Sequence, residues 1–429
     1  MNLHSVSWVR QEMVLASARP ASQHGPLEWM RKNLFDGWLS TLLTVASLSA
    51  IALLAMAIAP WLGNSIWKAK SLSECRQFLD GAPGACWGVI RDRWPQLLFG
   101  FYPAQIYWRP VLAFALLFAA LAPVLFRVLP SRALWFSAVY PGLASWLIWG
   151  GSFWFPVAVY LGFAVAAALF TSTARISQGL GVSAAILGAA LWWIYAAQPF
   201  STGVNSIIPI ALEPVPSRQI GGFLLSIIIG VTGIAMSLPL GILLALGRRS
   251  SLPLIQMLSV VFIEFIRGVP LITLLFTASL LLNYFLPPGT NFDLVLRVVI
   301  MVTLFASAYM AEVIRGGLAG LPRGQYEAAE ALGLDYWKAQ RLIILPQALK
   351  ISIPGIVNTF IGLFKDTTLV MFIGLLDPIA LAAAIRANTE WQGIYWELFI
   401  FIAAVFFIFC FGMSRYSMYL ERRLKTDHR

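Results

Sequence analysis

Histidine is almost missing from this chain, and charge is scarce. The three histidines, His4, His24 and His428, lie near the termini and outside any apolar run. An intramembrane His-based metal or proton site is therefore not expected, and no metal ligands are assigned. Charged residues make up 11% of the sequence, against about 25% in a soluble domain. No lysine follows a glycine, so the phosphate-cradling pattern G-x-x-x-x-G-K-[ST] is absent. If ATP is used, another polypeptide binds it. The stretch from Met1 to Gly37 also lacks the short apolar core and small residues of a cleavable signal.

What is present is apolar. Hydrophobic residues reach 59%, and runs of about 20, the length that crosses a bilayer, recur along the chain. The runs are continuous, without the alternation of a lumen-facing strand, which excludes a β-barrel. The fold class is all-α, polytopic, with about ten transmembrane helices. Spans are expected near 39–61, 111–126, 134–149, 153–170 and 182–197, then 220–246, 260–282, 294–314, 351–375 and 394–413. The net charge of +11 does not point to nucleic acid, because Lys and Arg collect between and beyond the runs, as the positive-inside rule requires.

Four parts follow: a polar cytoplasmic lead (1–37), a five-span extension (38–218) with an external loop at 62–109, a second five-span unit (219–420) and a basic tail (421–429). Five spans out and five back put both termini in the cytoplasm. Arg127 and Arg132, Arg175, Arg248 and Arg249, Arg315 to Lys350 and Arg422 to Lys425 then fall inside, and the loops at Gln198, Asn283 and Asp377 outside. The loop 62–109 carries Lys68, Lys70, Arg76, Arg91, Arg93 and Arg109 and disagrees with this rule. Glu74, Asp80 and Asp92 are available to pair with some of them.

The most hydrophilic stretch of the second half is Glu327 to Pro346, EAAEALGLDYWKAQRLIILP. Glu327 to Leu332 are good helix formers. Gly333 takes the left-handed conformation that ends a helix, Asp335 caps a second helix over Tyr336 to Leu342, and Pro346 blocks smooth continuation into the next span. The result is a rigid cytoplasmic elbow with small alanines, Ala328 and Ala329, exposed to another protein's groove.

The spacing E-A-A, three residues, G, nine residues, I-x-L-P resembles the EAA motif of the membrane subunits of binding-protein-dependent ABC importers. The segments FIEFIRGVPLITLLF (262–276), FASAYMAEVIRGGLAGLPRGQYEAAEALGLDYW (305–337), RLIILPQALKISIPGIVNTFIGLFKDTTLV (341–370), FCFGMSRYSMYLERRL (409–424) and ACWGVIRDRWPQLLFGFYP (85–103) are similar to the general L-amino-acid permeases of the Aap type, M subunit. The resemblance is dense over about 220–424 and patchier before it. It implies a type I importer core at 219–420 in the bacterial inner membrane. Its partners would be a second, sister permease, two ATPases that hold ATP and Mg²⁺, and a periplasmic amino-acid-binding protein. Glu327 to Gln340 would be the coupling helix that docks into the ATPase, and the chain itself would be no enzyme.

Four intramembrane charges are spaced as pairs, Glu264 with Arg267 and Glu312 with Arg315. Residues three apart share a helix face, so each pair is expected to neutralise itself at a gate or interface. Lys365 and Asp366 are adjacent, point about 100° apart on a helix, and need separate partners. A zwitterionic amino acid needs both a cation and an anion, so Lys365, Asp366, Thr367, Thr368 and Asn358 are candidates to line the substrate path. The alternative is pairing across an interface with the partner permease. Gly268-Val269-Pro270 either breaks a span to line a cavity or joins a surface helix to the true span. Cys75 and Cys86 fall on the outside, where disulfides form, and are expected to bridge. Cys410 reads as a small buried hydrophobe.

Two rival classes fit the sequence less well. A secondary, non-ATP transporter of small polar solutes would need matching broken segments in both halves, and the first half holds no counterpart of RGVP or KDTT. An intramembrane enzyme would need a catalytic constellation inside the spans, and none is legible.

Overall fold

The computed structural model describes residues 25–126, 128–281 and 293–424. The lead up to residue 24, Arg127, the loop at Asn283 and the tail beyond Leu424, all named above, lie outside the described residues. The chain divides into two compact units, Met1–Lys68 with Glu74–Trp87, and Ala69–Ser73 with Gly88–Arg429.

The smaller unit is built on α1 (Pro26–Leu34) and α2 (Trp38–Gly63), none of whose residues is buried. A helix apolar on every side is stable only where lipid replaces water. After α2 the chain forms a clasp. Ala85 N–H donates to Trp61 O and Ile66 N–H to Ala85 O, each at 2.8 Å, and the Trp67 and Trp87 rings stack at 5.7 Å. Cys75, in α3 (Leu72–Leu79), is disulfide-bonded to Cys86 with Cα atoms 6.1 Å apart.

The larger unit runs α4 (Gly88–Phe99), α5 (Trp108–Leu125), α6 (Leu134–Trp149), α7 (Trp154–Thr173), α8 (Gln178–Leu191) and α9 (Ala197–Ile207), then α10 (Gly222–Arg248), α11 (Pro253–Gly268), α12 (Leu271–Phe276), α13 (Leu294–Ala319), α14 (Gly324–Ala331), α15 (Tyr336–Ala339), α16 (Leu345–Asp366), α17 (Pro378–Ala387) and α18 (Trp396–Leu424). A two-stranded antiparallel ladder pairs β1 (Gly151–Ser152) with β2 (Ala211–Leu212).

Among the described residues eight helical runs are long and apolar enough to span a membrane, or nine if one bent pair counts. Two of the expected ten therefore differ. α6 forms over Leu134–Trp149 as expected, but its 16 residues fall short of the usual ~20. The span expected over 260–282 is not one helix: α11 and the helix after it are bent by 104°. The cause is Pro270, whose missing N–H and fixed φ end α11 and start the next helix at Leu271.

Three connecting segments meet at one end of this unit. Phe101 N–H donates to Gln219 O at 3.0 Å, Gly221 N–H to Phe99 O at 3.3 Å and Gly222 N–H to Leu376 O at 2.7 Å. Gly222 sits at φ +62, and any Cβ there would run into the Leu97 carbonyl, so only glycine fits. Nearby, Arg93 of α4 pairs with Asp92 at 2.8 Å and with Glu390, and the fully buried Trp391 donates its indole N–H to Asp92 at 3.0 Å. One core then runs beneath, joining Phe99, Tyr102, Leu147 and Ile148 to Leu225, Ile229, Leu275, Val298, Val302 and Leu363. A second core at the opposite ends of α10 and α13 gathers Leu246, Ile263, Met310, Ile314, Leu318, Ile344 and Ala348.

Candidate functional site

The elbow is anchored on that second core. Tyr326 and Ile343 pack against it, and Gln347 Nε2 donates to Gln325 Oε1 at 2.9 Å, fastening α14 to α16. α14 ends at Gly333, φ +67, where Leu334 N–H reaches back to Ala329 O at 3.2 Å and Gly333 N–H to Glu330 O at 2.9 Å, a glycine-terminated helix stop. Asp335 then caps α15, accepting from Lys338 N–H at 3.0 Å, while the Lys338 ammonium lies 3.0 Å from its other oxygen. These contacts, the backbone one first, hold the Asp335 carboxyl below its usual range.

Two expectations about the elbow need correction. Ala328 and Glu327 are exposed, but Ala329 is buried, on the side of α14 turned toward the core behind the elbow. The apolar display falls instead to larger side chains, Leu332 at 74% and Trp337 at 65% exposed. Pro346 does not interrupt the next helix. A π turn over Gln340–Ile344 leads directly into α16, with Pro346 in its first turn, where its missing N–H does little harm. The helical run is continuous over Tyr336–Ile373.

Beside the elbow lies a knot of charge. Glu312 on α13 accepts from Arg315 Nε at 2.9 Å, and Arg248 Nη1 on α10 and Arg267 Nη1 on α11 lie 3.5 and 3.8 Å from its Oε2. Arg248 also binds Glu264 Oε1 at 2.7 Å. Glu312 and Arg315 thus pair as expected, whereas Glu264 and Arg267 do not pair with one another. Each reaches a different helix, because the ends of α10, α11 and α13 converge there and offer closer partners than the helix's own face. The guanidinium of Arg267 also lies over the Tyr309 ring at 5.7 Å.

The five residues expected along a substrate path do not form one lining. Asn358 and Lys365 are exposed and Asp366, the last residue of α16, is half-buried. The chain then tightens into a 3₁₀ turn over Thr367–Ile373. Thr368 Oγ1 donates to Lys365 O at 2.9 Å. Thr367 is fully buried, with its hydroxyl donated to Phe364 O at 2.8 Å. It therefore serves the helix end, and the other four remain accessible in this chain. Among the described residues no group of three or more His, Cys, Asp or Glu converges to hold a metal.

A family model described as the binding-protein-dependent transport system inner membrane component matches residues 237–426. Over their entire lengths, the chain is 61% identical to the glutamate/glutamine/aspartate/asparagine transport system permease protein BztC of Rhodobacter capsulatus. The chain belongs to this inner-membrane transport family. It is also 41% identical to the inner membrane amino-acid ABC transporter permease protein YhdY of Escherichia coli, over 95% of this chain and 96% of that one. The probable glutamine ABC transporter permease protein GlnP of Bacillus subtilis is 31% identical over 47% of this chain and 91% of its own. This chain is thus a multi-pass transport permease.

Sequence reasoning passed over Arg248, Arg249 and Tyr326 of this permease. Arg248 and Arg249 read only as positive-inside charges. Arg249 donates to Tyr326 Oη at 3.0 Å, tying α10 to the segment that opens the elbow. The available signal was two consecutive arginines at a span end, more than sidedness requires.

Proposed function

We propose that the chain imports L-amino acids as the membrane subunit of an ATP-driven complex, with Glu327, Ala328, Ala329, Gly333, Asp335 and Pro346 forming the element that couples it to an ATPase. The observation that carries this reading is the full-length 61% identity to a permease named for glutamate, glutamine, aspartate and asparagine. Those acidic amino acids and their amides are the proposed substrates. ATP and Mg²⁺ reside on two partner ATPases, a periplasmic binding protein delivers the solute, and a sister permease completes the pore. The elbow and the Arg248–Arg249 end face the cytoplasm, as do both termini. The segments around Phe101, Gln219, Leu376 and Glu390 face outward. Their mutual hydrogen bonds support a shared side, and the Arg93 ion pairs account for part of the positive charge that the loop 62–109 carries there.

Mechanically, ATP-driven closure of the ATPases pushes the elbow. The knot on Glu312 transmits that push to α10, α11 and α13, biasing a two-state pore. Reconstitution tests it. Proteoliposomes holding this chain, its sister, the ATPase and the binding protein take up L-glutamine only with internal ATP. Uptake by this chain alone, as a secondary transporter would show, overturns the reading. So does labelling of Glu327→Cys from the periplasmic side.

A further inference from the structure

Behind the elbow is a cavity of about 480 Å³, walled by Leu246, Leu318 and Leu334 and by the polar residues Arg249, Tyr326, Glu330, Tyr336 and Gln340. Its size falls within the range of about 300–1,000 Å³ typical of small-molecule sites. Gln340 is only 7% exposed, yet its Oε1 finds no hydrogen-bond partner among the described residues. An acceptor buried without a partner costs free energy unless something brings a donor. Across the cavity Arg249 offers a guanidinium, held over the Tyr326 ring at 5.7 Å. A second phenol, that of Tyr336, and the exposed carboxylate of Glu330 complete the polar rim. A cation, an unmet acceptor and an anion set around an apolar floor complement a small molecule bearing a carboxylate, an ammonium and a short chain.

We infer that this cavity binds a free L-amino acid from the cytoplasm, its carboxylate on Arg249 and its ammonium between Gln340 Oε1 and Glu330, and that the bound molecule restrains the elbow. The consequence for transport rests on the function proposed above; the binding itself does not. Arg249 caps the end of α10, Glu330 belongs to the first arm of the elbow and Gln340 to the π turn after the second. A ligand touching all three bridges the moving element to the core, so it slows import as the imported product accumulates.

The test has a binding arm and a transport arm. In the first, the purified full-length chain is titrated calorimetrically with L-glutamine and with 4-aminobutanamide, which lacks the α-carboxylate. L-Glutamine binds and the analogue does not. Arg249→Gln and Gln340→Leu weaken binding at least tenfold; melting curves that match the parent chain certify folding. In the second, internal L-glutamine slows import several-fold in proteoliposomes of the assembled importer, and Gln340→Leu relieves the slowing. No binding to the folded parent chain overturns the inference, as does binding kept in Arg249→Gln. Binding by the isolated chain that vanishes in the assembled importer assigns the cavity to an ATPase side chain and also overturns it. An importer that carries no amino acid, with binding intact, sinks the transport reading alone.

Discussion

Single side chains at turns and caps decide much of the local geometry. Asp377 caps α17, accepting from Ile379 and Ala380 N–H at 3.2 and 2.9 Å, yet it is fully buried. Burial outweighs those two hydrogen bonds and pushes its carboxyl up to about 6. A carboxyl whose pKa is raised by folding favours the native state in its protonated form. Stability is therefore greatest below the ordinary carboxylate range and falls as pH rises through about 6. At about 1.4 kcal/mol per unit, Asp377→Asn is expected to gain up to ~3 kcal/mol at pH 7 and to flatten the dependence. Thermal melts of the purified chain at pH 4.5 and 7.5 read this out, and equal slopes in parent and variant would refute it. The capping roles of Asp335 and Gly333 were legible because they depend on residue type and local spacing. The burial of Ala329 was not, since it depends on what packs behind the elbow.

Among the helices, the convergence of α10, α11 and α13 on Glu312 concentrates electrostatic work at one carboxylate. Three arginines face it, whereas among the described residues Glu264 forms its ion pair with Arg248. Glu312→Gln takes the carboxylate from Arg267 and Arg315 and leaves Arg248 with Glu264 alone, and is expected to cost roughly 1.5–3 kcal/mol. The half-exposed Glu264 should cost under about 1 kcal/mol as Gln. Denaturation in detergent ranks the two, and equal losses would show that the knot is not centred on α13. Apolar run length found most of the long helices, α6 to the residue. It proposed i,i+3 pairs because sequence exposes only partners on the same face. The cross-helix partner of Glu264 lies 16 positions away, and that of Arg248 on α13 lies 64 away, so helix packing alone brings them together. Likewise Pro270 announced a break, but residue type alone did not give the 104° angle between the two helices.

For the molecule as a whole, the family model covers only residues 237–426, yet the larger unit begins at Ala69 and resumes at Gly88. The helices that precede the matched region are therefore not a detachable prefix. A chain starting at Gln219 lacks Phe99 and Tyr102, which pack in the same core as Leu225 and Ile229, at about 1.5–3 kcal/mol for each buried side chain. It also leaves Trp391 without its bond to Asp92. Such a truncation is expected to aggregate or to melt well below the full chain in size-exclusion thermostability assays; an unchanged midpoint would mean that these contacts carry no stability. Fold class and four of the five spans expected in the second half were readable from hydropathy. That the earlier helices share a core with it was not, because shared burial leaves no periodic mark.

The glycine seam at Gly221 and Gly222 bears on protein engineering. A chimaera built by exchanging the carboxy-terminal half between relatives, cut at the apparent start of α10, would separate two backbones that approach too closely to tolerate a side chain. Grafts should carry the Leu97–Tyr102 strip together with Gln219–Gly222 and the Leu376 loop from a single parent, so that the donor's own fit is inherited intact.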